Sequence, residues 1–151
     1  MPAIRNTVRA LITRDDRVLV VEKRDARGQR YLLPGGGQRH GETLLAALHR
    51  ECLEEIGARV SAPELAFVRD YLSWNHDAGD PDKDFQVVEF VFRCSVPDDY
   101  SPQRGSRPDA GQTSTKWIAV AELSSVAFVP RSIVEALQQG RATSLYLGDI
   151  N

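Results

Sequence analysis

Residues 33–58 read LPGGGQRHGETLLAALHRECLEEIGA, a glycine-rich turn followed by one long amphipathic segment. From about Thr43 to Ile56 the apolar residues recur at helical spacing, which predicts a helix. Gly57 follows at the position where glycine commonly ends a helix. The three consecutive glycines at 35–37 are expected to hold neither helix nor strand well, because glycine loses the most backbone entropy on folding. The segment therefore predicts a loop that leads into a helix.

The predicted helix carries a cluster of carboxylates near its C-terminal end. Glu51, Glu54 and Glu55 follow an i, i+3, i+4 spacing, so all three project from one face. Like charges at this spacing repel each other, and the helix dipole disfavours anions near the C-terminus. A solvated acidic face is the ordinary interpretation of such a cluster. Here the preceding glycines would let a backbone carbonyl approach a cation, so the pattern favours a site for Mg²⁺ or Mn²⁺, which prefer oxygen ligands.

The spacing of seven residues in this segment resembles a known signature. They match, at every fixed position, the Nudix box of the Nudix hydrolase family: Gly36, Glu42, Arg50, Glu51, Glu54, Glu55 and Gly57. Two positions where the family has a bulky aliphatic residue hold Cys52 and Ala58, which changes local packing and leaves the chemistry untouched. The segment before the box, Leu33 to Gly37, resembles the family as well.

The resemblance implies a metal-dependent enzyme that hydrolyses a nucleoside diphosphate linked to another moiety, by attack of water on phosphorus. The catalytic residues it implies are Glu51, Glu54, Glu55 and Arg50. Metal ligands would be those three glutamates with the carbonyl of Gly35 or Gly36. Glu42 and Gly57 would have supporting structural roles. The cofactor would be Mg²⁺ or Mn²⁺, and no single glutamate is assigned as the general base.

Some family members use a further acid outside the box, and Glu89 is our candidate for this metal ligand. It interrupts an apolar strand, on the face with Val87 and Val91; a solvent-facing strand glutamate is the alternative. Asp82, Asp84 and Glu122 are weaker candidates.

Substrate contacts are expected around the glycines, from Arg24, Arg39, Tyr31, Gly36 and Gly37. The arginines, together with Arg30, could hold phosphates, and His40 lies in the same loop. Tyr31, Tyr71 and Trp74 could stack on a base, although aromatic residues in strands more often belong to the core.

The remaining chain predicts strands around the helix, with long loops at 75–84 and 97–114. The predicted elements are a hairpin over 4–23, a polar loop at 25–30, one or two strands in 59–73 broken by Pro63, a strand over 85–96, a final strand at 116–118 and a helix over 130–139. This order predicts an α+β fold, an α/β/α sandwich with a mixed sheet, the box helix and a C-terminal helix. We expect one Nudix domain over residues 1–151.

Composition excludes several other classes of protein. The 151-residue chain has a formal net charge of −2, which argues against a nucleic-acid partner. It has no long apolar run and no signal peptide, so we expect a cytoplasmic protein without a membrane partner. Cys52 and Cys94 are expected to be buried free thiols.

The subclass of substrate stays open at this level, with nucleoside triphosphates or nucleotide-sugars as the default. A non-catalytic Nudix-fold module that only senses a nucleotide is the main alternative, which a degenerate box would favour. An isomerase on the same fold would need a catalytic cysteine. A homodimer is possible, since many relatives dimerise.

Overall fold

The computed structural model describes residues 3–26, 28–76, 84–140 and 144–151. The α-helices and strands are, in chain order, β1 (Ile4–Arg14), β2 (Arg17–Asp25), β3 (Gly28–Leu32), β4 (Gly35–Gly37), α1 (Leu44–Ile56), β5 (Ser61–Leu72), α2 (Ser73–His76), β6 (Gln86–Ser95), β7 (Gln112–Ala119), β8 (Phe128–Val129), α3 (Val134–Gln138) and β9 (Tyr146–Asp149). Short 3-10 helices cover Val120–Ser125 and Arg131–Ile133. The mixed sheet with helices confirms the predicted α+β class.

The sheet divides into two halves that share the β1–β2 hairpin. These two strands pair only next to the turn, at Thr13 with Val18 and at Arg14 with Arg17. Beyond that point β1 pairs with β4 and, in parallel, with β6, whereas β2 pairs with β3 and β7. The predicted hairpin is therefore present, but most of β1 belongs to the other half of the sheet.

Two hydrophobic cores lie on opposite faces of β1, because successive side chains of a strand point to opposite sides. Val8, Ala10 and Ile12 belong to the core that α1 covers with Leu48, Cys52 and Ile56. Leu11 belongs to the second core, with residues of β5, β6 and the C-terminal elements such as Phe67, Val91 and Ile133. Each polar side chain can therefore be assigned to the α1 side or to the opposite side of the sheet.

Helix α1 begins and ends as the sequence predicts. The Thr43 hydroxyl accepts a hydrogen bond from the amide of Ala46, which satisfies one free N–H at the helix start. Gly57 ends the helix in the left-handed conformation, with φ of 64°, and its amide donates to the carbonyl of Cys52. The helix buries Glu51 and Glu55 together with its apolar face, so two of the predicted carboxylates point into the protein.

The prediction for the three glycines is wrong, because Gly35–Gly37 forms strand β4 against β1. Gly35 has a φ of 147°, and a Cβ there would lie 2.0 Å from the carbonyl oxygen of Val8. The close backbone approach thus requires glycine, and its pairing with β1 outweighs the entropy cost that the prediction relied on.

Four other boundaries differ from the prediction. Pairing between β2 and β3 extends to Asp25 and Gly28, so most of the expected polar loop belongs to these two strands. A single strand, β5, runs through Pro63, with shifts of register against β6 that accommodate it. Strand β7 begins at Gln112, within the predicted loop, and two short strands follow it. The predicted C-terminal helix is a 3-10 turn followed by the five-residue α3.

Both cysteines are buried free thiols, as predicted. Burial raises the pKa of each thiol, that of Cys94 to about 12, so neither resembles a reactive nucleophile. Every helix within the described ranges is too short or too polar to span a lipid bilayer.

Candidate active site

The loop between β6 and β7 is fastened to the C-terminal end of α1. The backbone carbonyl of Glu55 accepts hydrogen bonds from the amide of Gly105, at 2.9 Å, and from the side chain of Gln112, at 2.8 Å. The carbonyl of Glu54 accepts from the amide of Arg107. Carbonyls at a helix end have no partners within the helix, so the loop supplies them. This attachment fixes the position of Asp109, near the end of the loop.

Gly105 shows how closely the loop lies on the helix. A Cβ at this position would lie 2.3 Å from the carbonyl oxygens of both Leu53 and Glu54. Any larger residue would lift the loop from the helix end. The predicted 97–114 loop therefore has a defined place against α1.

Three carboxylates meet beside the loop. Glu51, Glu55 and Asp109 each offer an oxygen, and these atoms lie within 4.8 Å of one another. The first two are buried on α1, while the side chain of Asp109 is 47% exposed. The cluster thus reaches solvent at Asp109.

Glu55 is the carboxylate of the cluster whose negative charge is least compensated by its surroundings. Its side chain is fully buried, and its Oε2 accepts a hydrogen bond from the amide of Gly35 at 2.9 Å. Its Oε1 has no hydrogen-bond donor among the described residues. Burial raises the pKa of Glu55 to about 8, although Arg9, the Gly35 amide and Lys23 act in the opposite direction. The charged form therefore lacks sufficient positive charge around it.

Gly36 gives Glu51 its place in the cluster. A Cβ on Gly36 would lie 2.6 Å from the carboxyl group of Glu51, so only glycine lets this side chain approach the strand. Nη1 of Arg50 donates to Oε1 of Glu51 at 2.7 Å. The strand, the helix and one guanidinium together orient the carboxylate.

Arg50 joins the box loop to the acidic face of α1. Its Nε and Nη2 donate to the two carboxylate oxygens of Glu42, at 2.6 and 3.0 Å, and Nη2 also donates to the carbonyl of Gly37. Nη1 reaches Glu54 at 3.1 Å. The hydrogen bond to Arg50 is the main reason that the pKa of Glu42 falls to about 2. These contacts agree with a structural role for Glu42 and an orienting role for Arg50.

Glu54 lies at the edge of the cluster. Besides the contact with Arg50, its Oε1 lies 3.7 Å from Nη2 of Arg39. The three-acid cluster of the described residues does not include Glu54. Its catalytic and metal-binding roles stay predictions.

Glu89 is held away from the acidic cluster, on the other face of the sheet. It shares that face with Val91 of the second core, whereas Phe92 and Cys94 pack on the α1 side. Its Oε2 accepts from Nε of Arg9 at 3.0 Å, and its Oε1 from Nε of Arg69 at 2.8 Å. Burial would raise the pKa of Glu89, but the two arginines hold it below its usual value. The structure thus gives both oxygens arginine partners and does not bring this predicted ligand to the cluster.

The carbonyl of Gly35, another predicted ligand, accepts a hydrogen bond from Nη1 of Arg9 at 3.0 Å. Gly35 thus contacts Arg9 through its carbonyl and Glu55 through its amide. Whether this carbonyl also binds a metal stays a prediction.

The predicted substrate residues form two groups. Gly36 lies against Glu51 of the acidic cluster, whereas Gly37 and Arg39 contact its neighbours Arg50 and Glu54. Arg24 and Tyr31 belong to a separate polar group, in which Glu22 accepts from Arg24 and Lys116 donates to the hydroxyl of Tyr31.

The weaker candidates are spread more widely. Arg30 pairs with Asp25, Tyr71 stacks on His76, and Trp74 and His40 are exposed. Asp84 is exposed, Glu122 lies in a 3-10 helix, and Asp82 falls outside the described residues.

Sequence reasoning missed Asp109 and Lys23. Nζ of Lys23 lies 2.6 Å from Oδ2 of Asp109 and 3.9 Å from Oε1 of Glu55. The only signal for Asp109 was its place in a long polar loop, and loop length does not indicate which residue faces the helix. Lys23 follows the apolar residues of β2, and a charged residue at such a position commonly marks only the end of a strand.

Comparison with known proteins agrees with this geometry. A model of the NUDIX domain family matches residues 3–137. YvcI of Bacillus subtilis strain 168, described as an uncharacterized Nudix hydrolase, is 26% identical over 130 residues, which cover 86% of this chain and 75% of that protein.

Solved structures show the same fold. A NUDIX hydrolase from Nitrosomonas europaea superposes with a TM-score of 0.74 at 22% identity, covering 95% of this chain and 93% of that one. A MutT NUDIX hydrolase from Burkholderia pseudomallei gives a TM-score of 0.71 at 24% identity, covering 91% and 98%. The architecture is therefore the Nudix fold, as predicted. The chain belongs to the NUDIX domain family, and it is an enzyme of that family, a Nudix hydrolase.

Proposed function

We propose that the protein is a divalent-metal-dependent pyrophosphohydrolase that cleaves a nucleoside diphosphate linked to another moiety, such as a nucleoside triphosphate or a nucleotide-sugar. The observation that carries this proposal is the meeting of Glu51, Glu55 and Asp109, each with a carboxylate oxygen within 4.8 Å of the others. The intact box, with all its charged residues engaged around α1, favours this function over a non-catalytic sensor.

The three carboxylates fit a hard divalent cation. Mg²⁺ and Mn²⁺ take oxygen ligands, and a carboxylate that is buried without enough compensating charge gains most from such an ion. Glu55 meets this description, since its Oε1 is buried and lacks a hydrogen-bond donor among the described residues. Glu51, Glu55 and Asp109 are thus the residues that would hold the metal, and a bound metal would polarise phosphoryl oxygens and acidify a bound water.

The protein's own residues have three further tasks in this mechanism. Arg50 keeps Glu51 and Glu54 oriented through direct hydrogen bonds. The Gly35 amide holds one oxygen of Glu55, which leaves the other free to face the cluster. A glutamate of this group can accept the proton of the attacking water, because carboxylates within reach of a nucleophile serve as general bases. Arg39, exposed beside Glu54, is suited to contact a substrate phosphate.

The decisive experiment is turnover of a nucleotide panel with Mg²⁺ or Mn²⁺. The panel contains nucleoside triphosphates, ADP-ribose, dinucleoside polyphosphates and nucleotide-sugars, with phosphate and nucleotide products measured. We expect metal-dependent release that falls sharply in Glu51→Gln and is unchanged in Glu64→Gln, an exposed glutamate of β5. Nucleotide binding without turnover of any substrate would contradict the proposal and favour the sensor.

A further inference from the structure

A lysine ammonium lies inside the acidic cluster. Lys23 of β2 points its Nζ to Asp109, at 2.6 Å, and to Oε1 of Glu55, at 3.9 Å. Its side chain is only 13% exposed, so the contact is largely sheltered from solvent. Oε1 of Glu55 has no hydrogen-bond donor among the described residues, and Lys23 lies within ion-pair distance of it.

The backbone around Lys23 explains why its side chain reaches the cluster. The pairing of β2 with β7 changes register between Glu22 and Lys23. Glu22 lies on the opposite face, where Lys116 and Thr113 contact its carboxylate. The amide of the next residue, Arg24, donates to the carbonyl of Gly111 at 2.9 Å, which ties the end of the loop to β2. Lys23 and Asp109 are therefore brought together by main-chain contacts on both sides.

The other nearby cations have different carboxylate partners. Arg50 is shared among Glu42, Glu51 and Glu54, and Arg9 pairs with Glu89. Lys23 instead pairs with Asp109 and Glu55, two of the three carboxylates of the acidic cluster. An ammonium and a divalent cation repel each other at such short range, so each weakens the binding of the other to the same two carboxylates.

We propose that Lys23 is an internal cation that holds Asp109 and Glu55 together before a metal binds and competes with the metal for them. This inference rests on the proposed metal site. Lys23 then lowers the metal affinity, because the metal must displace the contacts that Lys23 makes with the two carboxylates. In the metal-free protein, Lys23 also anchors the end of the β6–β7 loop, which carries Asp109.

The direction in which metal affinity changes when Lys23 is removed separates this role from a purely structural one. If Lys23 competes with the metal, its removal tightens metal binding. If Lys23 only positions Asp109, its removal weakens metal binding, because the carboxylate is no longer held near Glu55. Lys116→Met is a matched control, since this lysine also forms an ion pair on the same half of the sheet, with Glu22 at 2.8 Å.

The experiment is titration of the full chain with Mn²⁺, without substrate, with free Mn²⁺ followed by electron paramagnetic resonance. We expect Lys23→Met to bind Mn²⁺ about tenfold more tightly than the wild type, and Lys116→Met to bind it within about twofold. Lys23→Arg, which keeps the charge, should stay near the wild type. In thermal unfolding, saturating Mn²⁺ should raise the Tm of Lys23→Met by more than that of the wild type.

Each outcome decides between the claims. If the wild type does not bind Mn²⁺, the proposed metal site and this inference both fail. If the wild type binds Mn²⁺ but Lys23→Met binds it equally or more weakly, only this inference fails. Should Lys23→Met not fold, Lys23→Gln gives the same comparison. In an Asp109→Asn background the effect of removing Lys23 should shrink, and an undiminished effect would also overturn the competition.

Discussion

Two buried glutamates near Arg9 are compensated in opposite ways. Glu89 lies between the guanidiniums of Arg9 and Arg69, which hold its pKa below the usual value. Glu55 has the Gly35 amide on one oxygen and Lys23 at 3.9 Å from the other, and burial raises its pKa to about 8. The charges around Glu89 are already complete within the chain. Those around Glu55 leave its pKa raised, and we expect this difference to separate a structural ion pair from the proposed metal site.

The largest expected difference between the two glutamates is in catalysis. Glu55→Gln should lower the metal-dependent rate about a thousandfold, because a metal ligand contributes several kcal/mol to transition-state stabilisation. Glu89→Gln, corrected for its folded fraction, should lose far less. Steady-state kinetics on the substrate found in the panel would measure both, and equal losses would remove the distinction.

Stability should show the reverse order. Glu89→Gln leaves Arg9 and Arg69 buried without their counter-charge, which should cost about 3–5 kcal/mol of unfolding free energy. Glu55→Gln should cost little in metal-free protein, because an amide can occupy the same place. Urea denaturation in EDTA compares the two variants. A Glu89→Gln protein as stable as the wild type would show that this ion pair is not needed.

The pH dependence of stability should differ in sign between the two sites. The pKa of Glu55 is about 8 in the folded protein against an ordinary value of 4.5, so its contribution is fully present below pH 4.5 and is lost as the pH rises through 8. The pKa of Glu89 is lowered, so its contribution is present above its ordinary value and is lost as the pH falls through the folded pKa.

Metal-free unfolding at pH 5, 7 and 9 tests this directly. Between pH 5 and 9 the wild type should lose a few kcal/mol relative to Glu55→Gln, at about 1.4 kcal/mol for each pKa unit. If the unfolding free energies of the wild type and Glu55→Gln change in parallel with pH, Glu55 is already ionised at neutral pH.

The smallest effect should come from the start of α1, at the opposite end of the helix from Glu55. Thr43→Ala removes the hydroxyl that accepts from the Ala46 amide and should cost about 1 kcal/mol. The loss should be the same with and without metal. A loss that depends on the metal would show that the acidic cluster responds to any strain in α1.

The sequence predicted the helix-borne part of the site because the spacing on one helix fixes which residues share a face. Glu51 and Glu55 come together with the cap residues Thr43 and Gly57 for this reason. It could not place Asp109 or Lys23, because their meeting depends on how a loop packs on a helix end and on a shift of register between β2 and β7.

The prediction for Glu89 shows the same limit. A charged residue in an apolar strand does indicate a special role, but the pattern does not say whether a metal or an arginine is its partner. The partners Arg9 and Arg69 come from β1 and β5, which only the sheet topology brings to β6. Similarly, the glycines at 35–37 form a strand because β1 supplies the partner.

The most direct test of the difference between the two glutamates is Mn²⁺ binding measured by isothermal titration calorimetry on the wild type, Glu55→Gln and Glu89→Gln, at a temperature where all three are folded. The account predicts that the wild type and Glu89→Gln bind Mn²⁺ alike and that Glu55→Gln binds it at least about tenfold more weakly. Unchanged binding in Glu55→Gln, or loss of binding in Glu89→Gln, would contradict it.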